Sequence, residues 1–126
     1  MTLRGLLLVM AGGAVGSAAR WAVAVFSEKN LPQTFPFGTL FVNLLGSALL
    51  GAILAAGVSE PPRLSAEVRL LLGTGVMGGF TTYSTFNAEV LRSLQAGAVA
   101  RAGLYVSATL VLCLLGAALG WAVARA

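Results

Sequence analysis

The chain of 126 residues has no histidine, a single cysteine and only four acidic side chains. Without histidine it lacks the usual general base at neutral pH and the commonest metal ligand. Zinc sites and Ser-His-Asp triads are therefore disfavoured on inventory alone. Cys113 cannot form an internal disulfide, and no cysteine spacing suggests a metal site. Charge is scarce as well. Charged residues make up 10% of the chain and hydrophobic ones 58%, against about 25% and about 45–50% in soluble domains. A water-soluble fold this small has too much surface to hide so much apolar area. Lipid is the better solvent, and the reading is an integral membrane protein.

The net charge of +4 would ordinarily raise the question of nucleic acid. The basic residues instead stand singly at the ends of apolar runs, as interfacial anchors do, so no nucleic acid is expected. Arg4, the apolar stretch after it and Ala22-Val23-Ala24 have the outline of a cleavable signal. Arg20 just before that triplet and three further apolar segments argue against cleavage.

A bilayer core needs roughly 20 apolar residues in a helix, and four segments qualify: residues 3–26, 37–58, 68–94 and 102–124. They form one domain. The linkers Glu28-Lys29-Asn30-Leu31-Pro32 and Ser59-Glu60-Pro61-Pro62-Arg63 are short and carry turn chemistry, which favours antiparallel neighbours. Pro36 stands where a helix start tolerates proline. Ser65 and Glu67 offer a cap and a first-turn acid for the third span.

With four spans, Arg4, Arg63, Arg69 and Arg125 fall on one side, and Lys29, Arg92, Arg101 and, if it is counted with its nearest loop, Arg20 fall on the other. Orientation is normally set by an excess of Lys and Arg on the cytoplasmic side. A tie makes both insertions comparable, which predicts dual topology and an antiparallel homodimer.

Three stripes interrupt the apolar background. Thr39, Asn43 and Ser47 are spaced by four on the second span, and Tyr105, Thr109 and Cys113 on the fourth, so each set lies along one helix face. Gly12 and Gly16 form a GxxxG pair with Ser17 and Arg20 close by, and Gly116 and Gly120 follow Cys113. For the glycines, close helix packing is the simpler reading. A mid-span amide such as Asn43 needs partners and tends to mark a pathway.

The third span is the singular one. Four glycines from Gly73 to Gly79 precede Phe80-Thr81-Thr82-Tyr83-Ser84-Thr85-Phe86, and a break in the helix is expected between Gly73 and Phe86. Gly73-x-Gly75-x-x-Gly78 matches a dinucleotide fingerprint by letter, but no strand precedes it and no ribose-binding acid follows. Backbone groups freed by a mid-membrane break survive only in protein or in a polar cavity. Tyr83 and Phe86 would share a face, and Glu89 and Arg92 could pair. An aromatic ring has a positive edge that an anion can approach, whereas ordinary lipid or core contact is the competing reading. Few carboxylates and many Thr, Ser, Asn, Tyr and Arg donors suit a small anion better than a cation, which generally calls for a membrane carboxylate.

The residues resemble the small fluoride channels of the Fluc (CrcB) family over essentially the whole chain. The matching runs are Gly12-Gly13…Gly16-Ser17…Arg20-Trp21, Phe37-Gly38-Thr39-Leu40…Val42-Asn43…Gly46, and Gly78-Gly79-Phe80-Thr81-Thr82-Tyr83-Ser84-Thr85-Phe86…Glu89. The resemblance implies an all-α membrane protein of four transmembrane helices with a broken third helix. It also implies an antiparallel, dual-topology homodimer in the cell membrane that exports fluoride passively through two pores. It places Asn43, Tyr83, Ser84, Thr85, Phe86, Tyr105 and Thr109 along the fluoride pore and Arg20 in the vestibule. A structural sodium ion at the dimer interface is implied on the backbone carbonyls of Gly78 and Thr81. Thr39, Thr82, Glu89 and Cys113 extend the polar track. Two positions depart from the family pattern: Tyr83 replaces the usual Phe, and Cys113 stands where Ser is frequent. The rival readings are a small four-span multidrug exporter of dual topology and an accessory subunit without transport of its own. The exporter is disfavoured because the first span has no acid to exchange a cation for protons.

Overall fold

The computed structural model describes residues 2–126, all of them helical or in short connections. Helix α1 (Leu3–Asn30) starts where Thr2 accepts from the Gly5 N–H at 3.1 Å. It continues past Phe26 because Asn30 Nδ2 donates back to the Phe26 carbonyl at 2.8 Å. Leu31 is extended and Pro32 follows, so the helix stops. Helix α2 (Phe37–Val58) begins after Pro36 and ends before Pro61-Pro62.

The third segment comes in pieces. Helix α3 (Ala66–Arg69) is capped by Ser65, which accepts from the Val68 N–H at 3.3 Å. A π-helical stretch (Leu70–Met77) and one short turn, α4 (Gly78–Phe80), continue it. The chain then leaves the helix at Thr81 and Thr82, both extended, and resumes as α5 (Tyr83–Gln95). Gly97, with φ of 72°, makes the tight turn into α6 (Val99–Arg125). The expected break is thus narrower than the run from Gly73 to Phe86. The glycines stay helical, and the two threonines interrupt the helix.

Among the described residues three helices, α1, α2 and α6, are long and apolar enough to cross a membrane. Most large apolar side chains point outward: Leu3, Val15, Trp21, Leu104, Leu114 and Val123 are all exposed. The buried positions are mostly small, including Gly12, Gly16, Gly46, Gly51, Ala55, Ala102 and Gly116. This inversion of a water-soluble core is what lipid requires, since apolar surface gains nothing by avoiding lipid and small residues let backbones approach. The protein is a multi-pass membrane protein.

Two close pairings organise the bundle. α1 packs chiefly on the π stretch and α4, and α2 chiefly on α6. A Cβ at Gly16 would overlap the Val76 carbonyl, and one at Gly12 would lie 2.9 Å from Gly75 Cα. On the other pair, a Cβ at Gly120 would overlap the Ala48 carbonyl and one at Gly51 the Ala117 carbonyl. Both glycine pairs are therefore packing devices. At one end of the bundle Arg4 pairs with Glu67 at 2.8 Å, and Arg63 Nη1 donates to the Ala124 carbonyl at 2.7 Å. At the other end Arg101 Nη1 donates to the Thr34 carbonyl at 3.3 Å.

Candidate functional site

The break at Thr81-Thr82 frees backbone groups that lipid cannot satisfy. Thr81 turns back on its own helix, donating to the Met77 carbonyl from both N–H and Oγ1 at 2.9 Å. Thr82 is served by α2: its N–H donates to Asn43 Oδ1 at 2.8 Å, and its carbonyl accepts from Asn43 Nδ2 at 3.0 Å. One amide side chain therefore satisfies both backbone groups of the residue at the break. The Thr82 hydroxyl then caps α5, accepting from the Thr85 N–H at 3.2 Å and donating to Thr85 Oγ1 at 3.0 Å. Ser84 Oγ lies 3.4 Å from it.

One turn further along α2, Thr39 Oγ1 donates to Glu89 Oε1 at 2.8 Å, while the Tyr105 hydroxyl donates to Glu89 Oε2 at 2.7 Å. Each oxygen of the carboxylate thus accepts one hydroxyl, joining α2, α5 and α6. The expected Glu89–Arg92 pair is not formed. Among the described residues the one salt bridge is Arg4–Glu67. The i,i+3 spacing allowed the ion pair, but the hydroxyls of two other helices reach the carboxylate instead.

Around this polar knot the aromatic rings form a chain. Phe86 and Tyr105 meet edge to face at 5.0 Å, and Tyr83 lies 5.7 Å from Phe86. Phe35, in the α1–α2 loop, packs edge-on against Tyr105 at 5.4 Å. Phe86 and Tyr105 are buried, whereas Tyr83 is 73% exposed and Ser84 and Thr85 are exposed beside it. Thr109 is buried, and its hydroxyl has no hydrogen-bond partner among the described residues. Cys113, two turns beyond Tyr105, is half-buried. Arg20 lines a cavity of about 470 Å³ together with Thr39, Thr82, Thr85 and Glu89.

The structure thus brings Thr39, Asn43, Thr82, Glu89, Tyr105 and Phe86 together at the junction of α2, α5 and α6. It leaves Tyr83, Ser84 and Thr85 on an open face. The sodium ion implied at Gly78 and Thr81 is corrected. Among the described residues no group of three or more His, Cys, Asp or Glu could hold a metal ion. The groups nearest the break are turned into the protein, Thr81 onto Met77 and Thr82 onto Asn43. The donor set does not fit a resident cation.

Three features escaped the sequence. Phe35 sits in a linker marked only by its prolines, although Phe35-Pro36-Phe37 is itself an aromatic signal. Arg92 and Arg101 read as anchors, yet both line the Arg20 cavity. The twin acceptor role of Glu89 depends on contacts between helices that no local spacing encodes.

A family model described as CrcB-like protein, Camphor Resistance (CrcB), matches residues 7–121. A fluoride-specific ion channel FluC of Sorangium cellulosum is 46% identical over 114 residues, covering 90% of this chain and 89% of that protein. The protein of the same name from Pectobacterium carotovorum is 46% identical over 117 residues, 93% of this chain and 91% of its own. That from Hyphomonas neptunium is 41% identical over 110 residues, 87% of each chain.

Proposed function

The chain belongs to the CrcB-like family, and on that premise we propose that it is a fluoride-specific ion channel that exports fluoride passively across the cell membrane. It is not an enzyme. The observation that carries this reading is the exposed Tyr83 ring and the exposed Ser84 and Thr85 hydroxyls on α5, backed by the buried Phe86 ring, in a chain whose long helices expose many large apolar side chains. A small, strongly hydrated anion must have its water replaced by close donors. Ring edges supply a weak positive potential without a fixed countercharge that would trap the ion. In this reading an anion enters past Arg20 and moves along the Tyr83 and Phe86 edges. Ser84, Thr85 and Thr109 donate along the way, and Tyr105 lends its ring. Thr39, Asn43, Thr82 and Glu89 hold the wall in place, and Cys113 continues the track as a weak donor.

The functional unit in this proposal is an antiparallel homodimer of dual topology, with four crossings per subunit and the segment 66–95 serving as the broken third. Two observations support it. The Lys and Arg count is even between the two ends. Tyr83, Ser84 and Thr85 are exposed within a membrane-spanning chain, where bare hydroxyls are costly unless protein or a polar cavity covers them. A second copy would provide that cover and line each pore from both sides. The multidrug-exporter alternative finds no acid within α1 apart from Glu28 in its exposed last turn.

The test is purified protein in liposomes, with fluoride and chloride efflux followed by electrode. Fluoride release without chloride release is expected, and silence for both from a folded protein would refute the channel. Phe86→Ile should abolish fluoride efflux while the protein remains folded. Retained efflux would remove that ring from the pathway.

A further inference from the structure

α1 and α2 are joined by a short loop but do not pack along their length. Each has its main partner elsewhere, α1 on the third segment and α2 on α6. They touch at the loop end, where a Cβ added to Gly38 would lie 2.8 Å from Ser27 Cβ and Oγ. On one side of that contact is the polar cavity that Thr85 and Glu89 line, and on the other is an apolar groove. Ser27 and Gly38 line both. The groove has a volume of about 750 Å³, with Ala22, Val23 and Phe26 of α1 and Phe37, Phe41 and Leu44 of α2 in its walls. Among the described residues Ser27 is the only polar side chain lining it.

A space of this kind within a membrane calls for an apolar occupant. A buried water needs two to four polar partners, which these walls do not supply. Without a filler, the lining would forfeit dispersion contacts on one side. From Ala22 to Asn30, α1 rises about 12 Å at about 1.5 Å per residue. That is most of one leaflet, which is half of a hydrocarbon core about 30 Å thick. The hydroxyl face that calls for a second copy belongs to α5, which has no residue in the groove. A lipid tail is the occupant that fits.

The charge at the groove's end narrows the class of lipid. Lys29 stands three residues after Phe26 and seven after Ala22, so it shares their helix face. Glu28 lines the polar cavity instead. Lys29 is exposed and forms no salt bridge among the described residues. It is not needed to close the helix, because Gln33 Nε2 donates to the carbonyls of Ser27, Glu28 and Leu31. A lysine at the end of a span lays its stem on apolar surface and sends its ammonium to the headgroup layer. A zwitterionic headgroup brings its own ammonium to compete for the phosphate, and an anionic one does not. We propose that the groove holds one acyl chain of an anionic phospholipid, with the Lys29 ammonium on its phosphate. The site depends on the fold and the bilayer, not on the channel reading.

Photolabelling of the full-length protein in vesicles tests this. The probe is phosphatidylglycerol with a diazirine in one acyl chain, in a phosphatidylcholine bilayer, and labelled peptides are mapped by mass spectrometry. Label should concentrate on residues 22–31 and 37–44 relative to the equally apolar α6. Ala22→Trp puts a ring in the groove and should cut that label by more than half while leaving α6 unchanged. Lys29→Gln should lower it about fivefold, the weight of one basic side chain at an anionic surface, and Lys29→Arg should restore it. Phosphatidylcholine with the same diazirine should label the groove weakly and respond little to Lys29→Gln. The Lys29 side chain is exposed, so its variants should fold even where Ala22→Trp does not. Even labelling of all three long helices, or groove labelling indifferent to Lys29→Gln, overturns the proposal. A groove that takes no label from either lipid is covered by protein, a second copy included, and overturns it too. No ion flux is read, so a protein that labels as expected but passes no fluoride upholds the lipid site and overturns the channel alone.

Discussion

Removing the Asn43 amide isolates the contact on which the broken segment depends. Asn43→Ala deletes both bonds to Thr82, of 2.8 and 3.0 Å, and leaves a backbone donor and a backbone acceptor without partners. Hydrogen bonds between membrane helices are worth about 0.6 kcal/mol on average and about 1.7 at most, so two give roughly 1 to 3 kcal/mol. A buried polar group left unsatisfied costs about 1–3 kcal/mol, which puts the upper limit near 6 kcal/mol for the pair. Lipid offers no water to take the place of the amide, so a loss of about 3 kcal/mol or more is expected. Asn43→Leu keeps the branched four-atom side chain without opening a cavity and should lose a similar amount, which separates hydrogen bonding from a cavity effect. The assay is reversible unfolding of the reconstituted protein in mixed detergent, paired with hydrogen exchange at the Thr82 amide. Both variants should unfold earlier, and the Thr82 amide should exchange faster. Stability of Asn43→Leu within about 0.5 kcal/mol of wild type, the range of an inert surface change, would refute the reasoning. The amide would then be free to serve the anion alone.

Other substitutions separate packing from chemistry. Gly120→Val forces a side chain into the Ala48 carbonyl and should cost about 3 kcal/mol, read as loss of folded protein on gel filtration. Gly103→Ala, with nothing within 4 Å of the added Cβ, should unfold within about 0.5 kcal/mol of wild type, or later, since alanine favours helix. Glu89→Gln leaves one of the Thr39 and Tyr105 hydroxyls without its oxygen acceptor, at a cost of about 1 kcal/mol or more. In a double-mutant cycle, Tyr105→Phe should therefore cost less in the Glu89→Gln background than in wild type; additive costs would mean the two side chains are uncoupled. Glu67→Gln removes the Arg4 ion pair, whose side chains are 76% and 49% exposed, and should change stability by less than about 1 kcal/mol in thermal unfolding.

Much of the architecture was legible because its signals are local. Pro32, Pro36 and Pro61-Pro62 bound the first two spans, and Ser65 caps the third as its hydroxyl and the following Glu67 suggested. The apolar runs required helices of membrane length. What was hidden depends on partners distant in sequence. Glycines read as helix breakers remain helical here because α1 presses its own glycines against them. The actual break falls at Thr81-Thr82, where Asn43 of α2 supplies the missing bonds. The π-helical stretch has no local marker that separates it from an ordinary helix. The i,i+3 spacing allows Glu89 to pair with Arg92, yet Thr39 and Tyr105 reach the carboxylate from other helices. The implied sodium came with the family resemblance and finds no fitting donor set in this chain.

The two close pairings bear on how the protein is made. α1 needs the residues of the third segment against it, and α2 needs α6, so the partners alternate along the chain. The first two helices to leave the ribosome therefore do not complete each other. Until the third segment arrives, Asn43 must wait in the bilayer or in the translocon with its amide unmatched. The seam along α2 stays open until the last helix docks. Biogenesis should accordingly be late-committing: a chain truncated before α6 would insert yet remain open to quality-control proteases, and resistance should appear only once the final helix has been synthesised.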